Sequence, residues 1–113
     1  MHTTLSPRVH GVLDYVVVAV FALAPLALGL VGLAAALSYA LAAVHLAMTL
    51  LTDFPPGVAR TVPFPLHGRV ELAVGFALPI LALVLFRGAP LVFFFAMGLL
   101  ILATWALTQY RAA

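Results

Sequence analysis

The sequence has 113 residues, of which 66% are hydrophobic and only 7% charged, and its mean hydropathy is +1.28. A soluble domain carries roughly 25% charged residues, so this chain lacks the polar side chains to cover a water-facing surface and reads as an integral membrane protein. Its net charge of +2 comes from five arginines against three acids, with no basic run interleaved with aromatics, which excludes a nucleic-acid partner. The absence of cysteine excludes disulfides, thiolate metal sites and cysteine nucleophiles.

A bilayer-spanning helix needs about 20 apolar residues, and four segments reach that length: about 9–30, 33–54, 67–86 and 90–110. No basic stretch precedes the first run, so it reads as a span and not as a cleaved signal, and lipidation motifs are absent. Gly29-Leu30-Val31-Gly32 forms a tight turn whose glycines accept positive φ. Phe54 to Leu66 contains Pro55, Pro56, Gly57, Pro63 and Pro65 and cannot be helical throughout. Phe54, Val58, Val62, Phe64 and Leu66 give that loop apolar anchors, which place it in the membrane interface. Arg87-Gly88-Ala89-Pro90 makes the second tight turn, with proline at a helix start. Pro25 and Pro79 fall late in the first and third spans and are expected to kink them. Gly29, Gly32, Ala35, Gly75 and Gly98 are small enough for close helix approach. Tyr15, Phe54, Trp105 and Tyr110 suit an interfacial aromatic belt, and Phe93-Phe94-Phe95 reads as lipid-facing bulk.

Two matches at similar offsets indicate an internal repeat. His10-Gly11-Val12-Leu13-Asp14 recurs 57 residues later as His67-Gly68-Arg69-Val70-Glu71, and Leu51-Thr52-Asp53-Phe54 recurs 56 residues later as Leu107-Thr108-Gln109-Tyr110. One residue of slippage in a loop reconciles the offsets. The expected fold is therefore all-α: one polytopic membrane domain over residues 1–113 with four transmembrane helices. They form two tandem helical hairpins, repeat one over about 8–54 and repeat two over about 67–110, separated by the Pro-rich loop at about 55–66. Two helices per repeat imply a pseudo-two-fold axis along the membrane normal. Arg8, Arg60, Arg69 and Arg111 share one end and Arg87 alone holds the other, so the positive-inside rule places both termini in the cytoplasm. A bacterial inner membrane fits this picture.

The chemistry of the chain lies in a few polar residues near that same end. His10 and Asp14 are four apart and share a helix face, about 6 Å apart along the axis; His67 and Glu71 repeat the spacing. On the second span His45, Thr49 and Asp53 are spaced by four and line one stripe, with His45 about 12 Å deeper than Asp53. Asp14, His45, Asp53, His67 and Glu71 are expected to face the bundle interior or a protein neighbour, because a charge at the helix centre costs about 2.5–3.5 kcal/mol. Two-fold packing would carry both His-acid pairs toward one space. Three uses of such a set stay open: a structural cluster in which each acid pairs with an arginine or hydroxyl, a metal or haem site, and a proton relay. In the structural version His45 is the exception, having no acid at its depth on its own helix. Ser6 and Ser38 have no acid–base partner in sequence, and no catalytic residue is assigned.

With the repeat laid out, the chain resembles the small bacterial membrane proteins with SPW-type two-helix repeats. The residues that carry the resemblance are the entry motif from His10 to Tyr15, the late proline in Ala24-Pro25-Leu26, and the return to Thr52-Asp53-Phe54. The Ser-Pro-Trp signature itself is replaced by Ala24-Pro25-Leu26 and Leu78-Pro79-Ile80. The resemblance implies a four-helix membrane protein of unassigned function and transfers no site residues. The expected function is that of a structural or accessory membrane protein, a subunit of a larger membrane complex. The alternatives are a metal- or haem-binding membrane protein using the His and carboxylate groups, and a small transporter or proton-conducting protein. The expected partners are membrane lipids and other membrane subunits or a second copy of the chain. No cofactor is specified.

Overall fold

A computed structural model describes residues 5–108 and Tyr110. Gln109 and Arg111, which enter the repeat match and the arginine count, lie outside the described residues. The described chain is helical, with helices α1 (Pro7–Leu28), α2 (Gly32–Leu51), α3 (Phe64–Leu85) and α4 (Gly88–Leu107). A parallel pair of two-residue strands, β1 (Thr52–Asp53) and β2 (Val62–Pro63), falls between α2 and α3. All four helices are long and apolar enough to cross a membrane. At 1.5 Å per residue their 20 or 22 residues reach about 30–33 Å, the thickness of a bilayer core.

The chain divides into two compact units, Pro7–Pro63 and, among the described residues, Leu5, Ser6 and those from Phe64 onward. In the first unit, Pro7 opens α1 where its missing N–H is no loss. α1 closes with Gly29 at φ 66° while the Leu30 amide donates to the Pro25 carbonyl at 3.0 Å, a Schellman-type end. α2 follows at once and packs on α1. Midway along that contact lies a hydrogen bond that proline makes necessary. Pro25 has no N–H to donate to the carbonyl of Phe21, four residues back. The buried Ser38 hydroxyl of α2 donates to that carbonyl instead, at 2.6 Å.

α2 was expected to reach Phe54 but stops at Leu51, with Thr52 in an extended conformation (φ −80°, ψ 140°). The loop explains the early stop, because it satisfies the carbonyls that a helix end leaves open. The amides of Val58 and Ala59 donate to Leu50 O and that of Thr61 to Leu51 O, at 2.8–2.9 Å. Arg60 donates to the carbonyls of Pro55 and Gly57 and ties the loop to itself. Thr52 pairs with Val62 and Asp53 with Pro63. Phe54, expected in an interfacial belt, is instead buried at 4% exposure.

The second unit repeats these local features. α3 carries Pro65 in its first turn, and α4 carries Pro90 in its own, both where no intrahelical donor is required. α4 opens as α2 does, from an extended residue into a glycine with positive φ: Val31 (φ −131°, ψ 168°) into Gly32 (55°), and Arg87 (φ −137°, ψ 163°) into Gly88 (62°). α4 also ends as α2 does, on an extended threonine, here Thr108 (φ −92°, ψ 143°), which bridges in parallel to Leu5. α3 and α4 pack together around Phe94, Leu78, Ala82 and Ile101, all 2% exposed or less. Phe94 thus corrects the expectation of lipid-facing bulk: its ring meets those of Phe86 and Phe93 at centroid distances of 5.2 and 5.0 Å.

Candidate functional site

In the first unit the i, i+4 spacing on the helix places His10 and Asp14 one turn apart, both fully or almost fully buried (0% and 2%). His10 Nε2 lies 3.2 Å from Asp14 Oδ2. The other carboxylate oxygen, Oδ1, lies 3.4 Å from Nε2 of His45 on α2. One carboxylate thus joins two imidazoles from two helices, and His45 keeps 12% of its side chain exposed.

The loop after α2 builds the surroundings of this trio. Phe54 sets its ring edge against His10, 6.4 Å between centroids. Pro56 packs on Gly11, where any Cβ would collide with the proline ring. The Tyr15 hydroxyl donates to the Pro56 carbonyl at 2.9 Å. The glycine of the His-Gly motif is therefore a close-approach residue that lets the loop seat over the start of α1.

In the second unit the same spacing joins His67 Nε2 to Glu71 Oε1 at 2.5 Å, with both side chains buried. Gly68 again makes room for a ring, here Tyr110, whose atoms lie 2.7–3.0 Å from where a Cβ would stand. Phe64 packs between, 5.8 Å from the His67 ring and 4.8 Å from the Tyr110 ring. Glu71 thus meets the histidine of its own helix. The residue of α4 that stands 56 positions after His45 is Ile101, which is apolar and buried.

The expected stripe on α2 is present only in part. His45 joins Asp14, but Thr49 donates its hydroxyl to the His45 carbonyl of its own helix at 2.7 Å. Asp53 leaves the stripe altogether: it sits in β1 beyond the helix end and is exposed, against the expectation that it faces protein. Its neighbour Thr52 is the buried residue and donates to the Met48 carbonyl at 2.5 Å. The expected partners of the acids also need correction. Arg8 and Arg69 are exposed, while Asp14 and Glu71 are buried against histidines. His45, which has no acid at its depth on its own helix, reaches Asp14 on the neighbouring helix.

Two residues with positioning roles escaped the sequence reading, Ser38 and Tyr15. Ser38 had a legible signal: a proline inside a buried helix leaves one carbonyl in need of a donor. Tyr15 had none, since its acceptor is a loop carbonyl 41 residues away.

The chain is thus a membrane protein with four helices fit to span a bilayer and, near the start of each of α1 and α3, a buried His-acid pair. Comparison with protein families, with curated proteins and with solved structures yields no match to it.

Proposed function

We propose that this chain is a structural or accessory membrane protein, a small subunit of a larger membrane assembly. The observation that carries the reading is the engagement of its buried polar side chains with one another. Asp14 meets His10 and His45, Glu71 meets His67, and Ser38 serves the Phe21 carbonyl. Thr49, Thr52, Thr104 and Thr108 each donate to the carbonyl four residues back. Such internal pairing offsets the cost of placing polar groups in hydrocarbon and leaves outward faces made of residues such as Leu23, Leu26, Phe76, Val84 and Val92. Those faces suit lipid and the apolar helices of other subunits.

The reading includes an origin by duplication of one helical hairpin, with the two copies related by a pseudo-two-fold axis along the membrane normal. The matched helix lengths support it, 22 and 20 residues followed by 22 and 20. So do the matched ends of α2 and α4 described above. On this reading the one-residue slip falls in the connecting turns, 29–31 and 86–87, since α3 starts 57 residues after α1 and α4 starts 56 after α2.

In native membranes solubilised in mild detergent, the tagged chain should migrate in an assembly of defined mass with other subunits at fixed stoichiometry. Migration at its own mass, or as a homo-oligomer alone, would end the accessory-subunit reading. The orientation follows from Arg8, Arg60 and Arg69 together with Arg111, against Arg87, and puts both termini in the cytoplasm of a bacterial inner membrane. A reporter fused after Ala113 should then be active only if it works inside the cell; activity confined to the outside overturns the orientation.

A further inference from the structure

We propose that His10, Asp14 and His45 form a binding site for a divalent transition-metal ion of the zinc class, joining α1 to α2. The proposal goes beyond the accessory-subunit reading and stands or falls without it.

The distances leave room for an ion between the imidazoles and the carboxylate. A charge-assisted N–H···O⁻ bond is about 2.7–2.9 Å long, whereas the two Nε2–carboxylate separations here are 3.2 and 3.4 Å. Ligand atoms held about 2.0–2.2 Å from one tetrahedral ion stand about 3.3–3.6 Å apart. Each imidazole–carboxylate contact therefore has the separation of neighbouring ligands, one through Oδ2 and the other through Oδ1 of Asp14. The His67–Glu71 contact differs: its 2.5 Å separation is too short for two ligands of one centre.

The ligand chemistry agrees. Two imidazole nitrogens and one carboxylate suit zinc, and three protein ligands leave a fourth position for water or an anion. Position on the helices agrees as well. Two ligands come from one helix at i and i+4, on one face, and the third comes from a neighbour already packed against it. The surroundings exclude bulk water, since Phe54 lies against His10 and the loop at Pro56 seats on Gly11. His45, with 12% of its side chain exposed, is the ligand open to an arriving ion.

The test is Co(II) and Zn(II) binding by the full-length protein in detergent, read by metal analysis after gel filtration and by the visible absorption of tetrahedral Co(II). The expected result is about one ion per chain, with affinity lowered at least tenfold in Asp14→Asn and in His45→Gln and unchanged in His67→Gln. Gel filtration and thermal unfolding of each variant show whether it is folded. Because the wild-type measurement needs no variant, a wild-type chain that takes up neither ion overturns the proposal outright. Retention of full affinity by a folded Asp14→Asn, His45→Gln double variant overturns it too, and equal loss in a folded His67→Gln overturns this ligand set.

Discussion

The two helix pairs begin and end alike but are filled differently. Both contain a buried histidine four residues before an acid, both have a glycine behind that histidine where a ring seats, and both finish on an extended, buried threonine. Between those ends they diverge. α2 carries Ser38 and His45 where α4, 56 residues on, carries Phe94 and Ile101. Each pair also accommodates a proline within its first helix by a different means. The first supplies a hydroxyl to the carbonyl that Pro25 cannot serve. The second brings the α4 backbone at Gly98 so close that a side chain there would strike the Pro79 ring. The ends are constrained by backbone geometry, which tolerates few residue types. The interior is constrained by volume and by polar satisfaction, which several combinations can meet.

The largest difference between the pairs should appear in their histidines. Asp14 meets histidines of two helices, His10 and His45, and Glu71 meets His67 of its own helix. His67→Leu, which takes the histidine from a buried carboxylate, is expected to cost on the order of 3 kcal/mol. His10→Leu leaves Asp14 its contact with His45 and should cost less, about 2 kcal/mol, the loss of one imidazole–carboxylate contact. Thermal unfolding of the two variants in the same detergent measures the gap. Equal losses would mean that the second histidine contributes nothing to the first pair.

A smaller effect should follow Ser38→Ala, which removes the hydroxyl donor from the Phe21 carbonyl and is expected to cost about 1–2 kcal/mol. The comparison sharpens in a double-mutant cycle. In a Pro25→Ala background residue 25 regains an N–H aimed at Phe21 O, so the serine should matter little. Costs that simply add would show that the hydroxyl contributes by packing and not by replacing the missing donor.

What the sequence made legible follows the same division. The spans were readable because runs of about 20 apolar residues have few soluble explanations. The His-Gly-x-x-acid pairs were readable because they use scarce residue types at helical spacing. The positive-φ turns at Gly29, Gly32 and Gly88 were readable because only glycine takes that conformation without strain. Asp53, Phe54 and Phe94 were misplaced for one shared reason: their environment is set by where α2 stops and by which helix face meets a neighbour. Nothing local marks Leu51 as the last helical residue, since the carbonyl-capping amides come from Val58, Ala59 and Thr61. Likewise, three consecutive phenylalanines do not reveal which one points at α3. The link between Asp14 and His45 spans 31 residues and two helices, and one sequence carries no signal for such a contact.

The i, i+4 placement of the two His-acid pairs has a consequence for biogenesis. A helix that enters the bilayer with an isolated aspartate bears about 2.5–3.5 kcal/mol of insertion cost, and it bears it before any later helix has been synthesised. His45 is 31 residues downstream of Asp14 and is of no help at that moment. His10 lies on the same helix, one turn away, so α1 leaves the insertion machinery with its carboxylate already met; α3 does the same with His67 and Glu71. Each acid-bearing segment is in this sense self-sufficient during synthesis. The contact with His45 is then a later event, one that records the arrival of α2 beside α1.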